Sequence, residues 1–155
     1  MDYRKTMNRL NIALSRIDAA YAIIAKQNGL TYNALMIIYL INERTNITQK
    51  SICDELYLTK STVHSILLDF IHQGYVTLAT GNNKKEKFIN TTDSGKSYFA
   101  DLIKQTQTIE KNVLEALGSN TCAFLTETVE AAGSLLMAEV TKINDNKEDN
   151  YEYWI

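Results

Sequence analysis

Proline is absent from the 155-residue chain, and glycine occurs only six times. Proline breaks an α-helix and glycine weakens one, so a chain with so few of these residues is suited to long helices. Hydrophobic residues make up 45% and charged residues 22% of the sequence, as in globular proteins rather than disordered segments. Length and composition together predict a single, mainly helical domain with its own core.

The sequence lacks the residue patterns that several functional classes require. It contains no nucleophile elbow, Walker loop, GxGxxG or HExxH, so we expect no enzyme, catalytic residue or cofactor. Cys53 and Cys122 are not spaced with His64 and His72 as zinc ligands are, so we expect no metal site. The longest uncharged stretch, which includes residues 28–42, is too short and too polar at its ends for a membrane span. With no signal peptide visible, the expected location is the cytoplasm.

Apolar residues recur at alternating steps of four and three along the start of the chain. The members of this stripe are Tyr3, Met7, Leu10, Leu14, Ile17, Tyr21 and Ile24. The spacing predicts a first helix, which Asn28-Gly29 would end. So apolar a stripe must be buried, either against the chain's own core or against another subunit.

Threonine and serine residues mark the starts of the next three helices. Thr31 caps a short helix that runs to about Asn42 and is apolar on all sides, so we expect it in the centre of the domain. Thr48 begins a third helix, and Thr59 or Ser61 begins a fourth. These three helices are short and follow one another closely.

The periodicity changes after the fourth helix. Residues 75–80 and 87–91 are rich in β-forming residues and flank a polar, basic segment, which predicts a β-hairpin. Thr92-Asp93 then caps a long helix, and Gly118-Ser119-Asn120 breaks it. A last helix is predicted from about residue 121 to residue 143.

Two short helices joined by a tight turn and followed by a basic hairpin form a winged helix-turn-helix. The second helix of such a pair fits the major groove of DNA, and the hairpin follows the backbone. The outer face of the fourth helix suits that task, because it carries small polar groups and one cation: Lys60, Ser61, Thr62, His64 and Ser65. Serine and threonine at a helix start are also ordinary capping residues, so this pattern alone leaves both interpretations open.

From Leu30 to Gly95 the sequence resembles the MarR-type transcriptional regulators. The matching positions are Leu30-Thr31, Ile37-Ile38, Gln49, Ile52-Cys53, Leu56, Leu58, Ser61-Thr62-Val63, Gly74-Tyr75-Val76 and Thr91-Thr92-Asp93-Ser94-Gly95. Their order and spacing carry the resemblance, rather than any single tripeptide. It implies a mainly α fold with a winged helix-turn-helix DNA-binding lobe over residues 30–95, a two-stranded β-wing, and long dimerisation helices over residues 1–28 and 97–155.

The resemblance also implies a function. Such a protein is a homodimer that binds a pseudo-palindromic operator in double-stranded DNA, here as a repressor relieved by a small aromatic effector. The residues assigned to DNA are Thr48, Gln49, Lys50, Lys60, Ser61, Thr62, His64, Ser65, Lys84, Lys85 and Lys87. The candidates for the effector site are Tyr21, Tyr32 and Tyr39, although aromatic residues at helical spacing are more commonly part of a core.

The wing departs from the family's pattern. Asn83-Lys84-Lys85 stands where relatives carry Asp-Arg-Arg, so the ion pair that holds an arginine against DNA cannot form, and lysine lacks the planar fork of arginine. Charge is also uneven, because residues 1–43 and 44–104 each carry +2, which suits a polyanion, whereas residues 105–155 carry −6 and make the total −2. The weak wing motif and this acidic total motivate the alternative function, a winged-helix protein-interaction module that has lost DNA recognition.

The two cysteines have different interpretations. Cys53 falls where the resemblance places a small residue between the two motif helices, so we interpret it as a packing residue. Cys122 lies near the start of the last predicted helix, a position at which reactive thiols occur. Redox-sensing relatives carry their reactive cysteine in the first helix, where this chain has none. A redox role for Cys122 is therefore the less favoured interpretation.

Overall fold

A computed structural model describes residues 1–80 and 87–151, with residues 144–151 as helix backbone only. Its elements, in chain order, are α1 (Tyr3–Gln27), α2 (Tyr32–Glu43), α3 (Gln49–Leu56), α4 (Lys60–His72), β1 (Val76–Thr80), β2 (Lys87–Thr91), α5 (Asp93–Leu117) and α6 (Ser119–Tyr151). This order confirms the predicted fold class, a mainly α winged helix-turn-helix with a two-stranded wing. The chain forms two compact units, Met1–Gln107 and Thr108–Ile155.

The three short helices begin at threonine caps, as predicted. The side-chain oxygens of Thr31, Thr48 and Thr59 each accept a hydrogen bond from a backbone amide three residues further on. This arrangement satisfies one of the amides that a helix start leaves without a partner. In α3 the hydroxyl of Ser51 also accepts from the amide of Thr48 at 2.9 Å, which completes a capping box. The cap of α4 is Thr59 and not Ser61.

The last helix is longer than predicted at both ends. It begins at Ser119 and continues to Tyr151, not from residue 121 to residue 143. Gly118 alone makes the break, because it adopts the left-handed conformation (φ 81°) that ends α5. The serine and asparagine that follow lie in the first turn of α6 instead of a loop. Beyond residue 143 no proline or glycine interrupts the polar sequence before Tyr151, so the helix continues.

The wing is an antiparallel hairpin whose register pairs Val76 with Thr91 and Thr80 with Lys87. A feature that we did not predict joins it to the segment before α3. The amide of Ile89 donates to the carbonyl oxygen of Ile47 at 2.9 Å, next to an isolated antiparallel bridge between Thr48 and Phe88. Strand β2 of the wing is therefore fixed to the start of α3 by backbone pairing.

One core holds Met1–Gln107 together. The prediction that α2 lies at its centre is confirmed, because five of its twelve residues are buried. Around α2 pack one face each of α3, α4 and the start of α5, together with the wing. The buried hydrophobic residues are Ala25, Ala34, Leu35, Ile37, Ile38, Ile41, Ile47, Ile52, Val63, Leu67, Phe70, Val76, Ile89, Phe99, Leu102 and Ile103.

Each unit leaves large apolar side chains uncovered. Within Met1–Gln107, α1 buries Ala25 but leaves Tyr3 76%, Ile17 51% and Ile23 60% exposed. Within Thr108–Ile155, the exposed large apolar residues are Ile109, Val113, Leu114, Leu117, Phe124, Leu125, Leu135, Leu136, Met137, Val140 and Ile143. The core of Met1–Gln107 therefore covers the end of the α1 stripe, at Tyr21 and Ile24, and leaves the rest of the stripe at least partly exposed. In the part of the chain that the structure describes, no helix is long and apolar enough to cross a membrane.

Candidate nucleic-acid interface

A tight turn joins the two motif helices. Tyr57, the first residue of this turn, has a positive φ of 51° and a side chain that is 75% exposed. The amide of Leu58 then donates to the carbonyl oxygen of Cys53 at 3.2 Å, which closes the end of α3. The left-handed residue reverses the chain, so α4 begins at Lys60 and packs across α3.

The start of α4 is a compact hydroxyl cluster. The Oγ1 atom of Thr59 lies 3.0 Å from the Ser61 hydroxyl and 2.8 Å from the Thr62 hydroxyl, and it accepts from the amide of Thr62 at 3.2 Å. Thr62 is half-buried, whereas Ser61 is exposed. Both residues are predicted to contact DNA. Thr62 is engaged in the helix cap, whereas the Ser61 side chain is accessible to solvent.

Most of the residues of α4 that are predicted to contact DNA lie on its outer face. Lys60, Ser61, His64 and Ser65 are all exposed. With about 3.6 residues per turn, this face continues along the helix to positions 68 and 72. Leu68, which is 41% exposed, and His72 lie there and were not among the predicted site residues. Counting helical periods from Ser61 and Ser65 would have found them.

The first turn of α3 lies beside the first turn of α4. The Nε2 atom of Gln49 donates to the carbonyl oxygen of Lys60 at 3.0 Å, and so joins the two helix starts directly. Lys50 forms an ion pair with Asp54 one turn along α3. This carboxylate raises the pKa of the exposed Lys50 ammonium, which therefore stays charged. Thr48, the third residue predicted here, is occupied by its capping box.

The wing contributes one predicted residue that the structure describes. Lys87 is exposed at the first position of β2, next to Phe88, which bridges to Thr48 at the start of α3. Strand β2 thus adjoins the start of α3, which in turn lies beside the first turn of α4, and these three segments carry the cations Lys87, Lys50 and Lys60. The predictions for Asn83, Lys84 and Lys85 fall on residues 81–86, which lie outside the described residues.

The three tyrosines proposed for an effector lie along the contact between α1 and α2. The rings of Tyr21 and Tyr39 meet edge to face, with centroids 6.5 Å apart. The hydroxyl of Tyr32 donates to Asp18 Oδ1 at 3.1 Å, and burial together with this carboxylate raises the pKa of Tyr32. A wide-open depression runs along the first turns of α1, but its lining ends at Asn11, some turns before Tyr21. One side of a single helix lines it, so it encloses no ligand.

Neither cysteine forms a disulfide. Cys53 is half-buried and packs against the main core, in keeping with its interpretation as a packing residue. The thiol of Cys122 donates to the carbonyl oxygen of Leu114 at 3.5 Å, across the break between α5 and α6. Among the described residues, no group of histidine, cysteine, aspartate and glutamate side chains could hold a metal ion.

The lobe that carries this interface matches a known sequence family. Residues 28–86, which span α2, α3, α4 and β1, match the MarR family. The match covers the helix-turn-helix and the first strand of the wing, and this part of the chain is similar to MarR regulators. A search of curated proteins found no match to the chain.

Solved structures of MarR proteins share the architecture of the chain. A MarR family regulator from Neisseria meningitidis is 21% identical, with a TM-score of 0.79, over 88% of this chain and 97% of that one. A putative MarR regulator from Listeria monocytogenes, complexed with a 26mer DNA, is 18% identical, with a TM-score of 0.69, over 86% and 89%. A MarR protein from Staphylococcus aureus, in complex with salicylate and kanamycin, is 15% identical, with a TM-score of 0.70, over 88% and 93%. At these identities the likeness establishes the MarR fold.

Proposed function

We propose that the chain is a MarR-type transcriptional repressor that binds a pseudo-palindromic operator in double-stranded DNA as a homodimer. The observation that carries this proposal is the exposed face of α4, on which Lys60, Ser61, His64 and Ser65 lie together at the amino-terminal end of the second motif helix. Residues at that end of a recognition helix contact base edges in the major groove. The Listeria relative was solved with DNA, which supports the same use of the fold here.

The proposed contacts divide into two kinds. His64 and Ser65 would read base edges, since both are exposed on the first two turns of α4. Lys50, Lys60 and Lys87 would neutralise phosphates, with Lys84 and Lys85 of the wing adding to them. Lysine supplies charge without the bidentate geometry of arginine, so we assign the wing to phosphate neutralisation and not to minor-groove reading.

Two sets of exposed apolar side chains support the homodimer. The first set is the exposed part of the α1 stripe, and the second is the exposed apolar residues of α5 and α6; each extends over several helical turns and is left exposed within its own unit. Exposed apolar surfaces of this extent mark interaction sites, and a second copy is the partner that a palindromic operator requires. We assign residues 1–28 and 97–155 to this dimer and residues 30–95 to DNA.

We also propose that a small aromatic molecule relieves repression through Tyr21, Tyr32 and Tyr39. Their position between α1 and α2 lies where a dimer helix meets the DNA-binding lobe, so a ligand there would shift one against the other. The Staphylococcus relative was solved with salicylate, which makes salicylate the first probe to use. Release of a bound operator by salicylate, abolished in a Tyr21→Ala variant, would support this role.

The experiment that tests DNA binding is a selection of duplexes from a random library, followed by titrations over a range of salt concentrations. Replacement of Lys84, Lys85 and Lys87 by alanine is expected to make the log–log salt slope shallower by about one unit for each phosphate that the wing no longer neutralises. Replacement of Lys111 and Lys142 by alanine is the control, because each pairs with a glutamate on its own helix in Thr108–Ile155. An unchanged slope in the wing variant would remove the wing from the interface.

His64 provides the test of base reading. His64→Ala is expected to change sequence preference by about 1–3 kcal/mol at one base pair. A uniform loss of affinity for all duplexes would leave His64 with a positioning role only. A wild-type protein that selects no sequence and shows no salt-dependent binding would favour the alternative function, a protein-interaction module. Repression itself is tested by expression of the gene next to the selected site, which is expected to rise when the protein is removed.

A further inference from the structure

Gln49 is half-buried at the first position of α3, and its side chain points across the motif rather than away from it. Its Nε2 atom donates to the carbonyl oxygen of Lys60, the first residue of α4, at 3.0 Å. A carbonyl oxygen can only accept a hydrogen bond, so the amide nitrogen of Gln49 and not its oxygen must face Lys60. The bond therefore has one orientation, and it joins the two helix ends that lie nearest to the proposed DNA surface.

Apolar burial also joins α3 and α4. Ile52 of α3 belongs to the same buried core cluster as Val63 and Leu67 of α4. Apolar burial holds two helices together but is not directional. A hydrogen bond has a preferred distance and angle, so it restricts rotation of one helix start against the other.

The position of α3 is itself fixed on other sides. The Nη1 atom of Arg44, at the end of α2, lies 2.8 Å from Oε1 of Glu55. The wing pairs with the chain just before α3 through Ile47 and Ile89. Since α3 is held in this way, the bond from Gln49 transmits its position to the first turn of α4.

We infer that Gln49 is a positioning residue for sequence recognition, which sets the orientation of the first turn of α4 and does not itself contact DNA. This inference rests on the proposed function and changes the role that the sequence assigned to Gln49. Contacts from His64 and Ser65 to base edges need the helix start in a defined orientation. One N–H of the Gln49 amide is held by the carbonyl oxygen of Lys60, so a phosphate contact through its second N–H is the alternative that the titrations distinguish.

The experiment compares wild type with Gln49→Met, which keeps the length of the side chain and removes its donor. Gln73→Met is the matched control, because Gln73 is an exposed glutamine at the other end of α4. Each protein selects duplexes from a random library and is then titrated with the wild-type consensus and with a scrambled duplex. The titrations are repeated over a range of salt concentrations, and amide hydrogen exchange and the melting temperature of each protein without DNA are measured in parallel.

We expect Gln49→Met to lower the ratio of consensus to scrambled affinity by about 2- to 12-fold, the range of one hydrogen bond. Affinity for the scrambled duplex and the salt slope stay as in wild type. Its selected consensus is degraded at several base pairs, and exchange becomes faster in the first turn of α4. Gln73→Met is expected to match wild type in its affinity ratio, salt slope, selected consensus and hydrogen exchange.

Other outcomes overturn the inference. An equal loss of affinity for both duplexes means that Gln49 contacts a phosphate. A preference that disappears at a single base pair means that Gln49 reads that base. A lower melting temperature with an unchanged affinity ratio means that the bond only stabilises the fold. A wild-type protein that selects no sequence removes the proposed function as well, which separates that failure from the others.

Discussion

The carbonyl oxygen of Tyr75 lies 2.0 Å from the position that a Cβ atom on Gly95 would occupy. The closeness results from a set of bonds at the start of α5. The hydroxyl of Thr92 donates to the carbonyl oxygen of Gly74 at 2.6 Å. The backbone amide of Thr92 donates to the carbonyl oxygen of Tyr75 at 3.0 Å. The amide of Gly95 in turn donates to the hydroxyl of Thr92 at 3.0 Å. The Thr-x-x-Gly pattern thus attaches α5 to the end of α4 and the start of the wing.

Gly95→Ala is therefore expected to destabilise the protein by about 1–3 kcal/mol, as overpacked core substitutions do, because backbone must move to admit the methyl group. Gly133→Ala is the control. It is also a helical glycine, but nothing lies within 4 Å of its Cβ position, so it is expected to stabilise by about 0.5–1 kcal/mol. Urea unfolding of both variants measures the difference. Equal effects of the two substitutions would contradict the close approach at Gly95.

A substitution at Tyr57 is expected to stabilise the protein, in contrast to Gly95→Ala. Its left-handed conformation costs a residue other than glycine about 1–2 kcal/mol, and its exposed ring recovers little of this by burial. Glycine loses more backbone entropy on folding, so Tyr57→Gly is expected to gain a net ~0.5–1 kcal/mol. Asn46→Gly is the comparison, since Asn46 has φ 58° but asparagine tolerates this region well. A smaller gain at position 46 is expected in thermal or urea unfolding; a loss at position 57 would argue that the ring has contacts of its own.

The sequence predicted the parts of this lobe that depend on local chemistry. Caps at Thr31, Thr48 and Thr59 were visible because a hydroxyl three residues before an amide is a local relationship. The bond from Gln49 to Lys60 and the pairing of Ile47 with Ile89 were not predicted. They join residues that are distant in sequence, and no periodicity marks which carbonyl a glutamine amide will meet.

The contrast between local patterns and distant contacts also explains how well the first and last helices were predicted. The apolar stripe of α1 was clear from its spacing, but spacing could not decide what buries it. The break after α5 was placed correctly, although its length was overestimated because serine and asparagine also suit the first turn of a helix. For the candidate DNA surface, the sequence identified exposed Lys60, Ser61, His64 and Ser65. It missed Leu68, an apolar residue on the same face.

Alkaline titration provides a test of the contact between α1 and α2. Burial and the hydrogen bond to Asp18 raise the pKa of Tyr32, so the folded state keeps the phenol proton to a higher pH than the unfolded state does. The stability that Tyr32 contributes is thus complete below the unfolded pKa of about 10 and is lost as pH rises through the folded value.

Comparison with Tyr32→Phe isolates this contribution. Below pH ~10 the variant is expected to be less stable than wild type by up to about 1 kcal/mol, as for an exposed charged hydrogen bond, and the difference should shrink at higher pH. Tyr3→Phe serves as the control, because Tyr3 is 76% exposed near the start of α1. Unfolding free energies measured from pH 7 to 11 would show the trend. A difference that grows with pH would have the wrong sign for a raised pKa.

The assembly of the protein is tested most directly at α1. Ile17 is 51% exposed and Leu14 is half-buried, and both belong to the part of the apolar stripe that precedes Tyr21 and does not pack against the core. An obligate dimer of this type typically buries more than about 2,000 Å² and has no stable folded monomer. Replacing both residues by aspartate is therefore expected to abolish dimerisation, folding and DNA binding together, as measured by sedimentation, circular dichroism and DNA titration.

Ser15→Asp provides the control for that substitution. Ser15 is exposed and lies outside the apolar stripe of α1, so the same charge there costs only helix propensity, below about 1 kcal/mol, and is expected to leave the dimer intact. Dilution of the wild-type protein gives an independent measurement, because the melting temperature of an obligate dimer falls as its concentration falls. A wild-type chain that sediments as a compact monomer at micromolar concentration, with a melting temperature unchanged on dilution, would contradict the homodimer and the palindromic operator proposed with it.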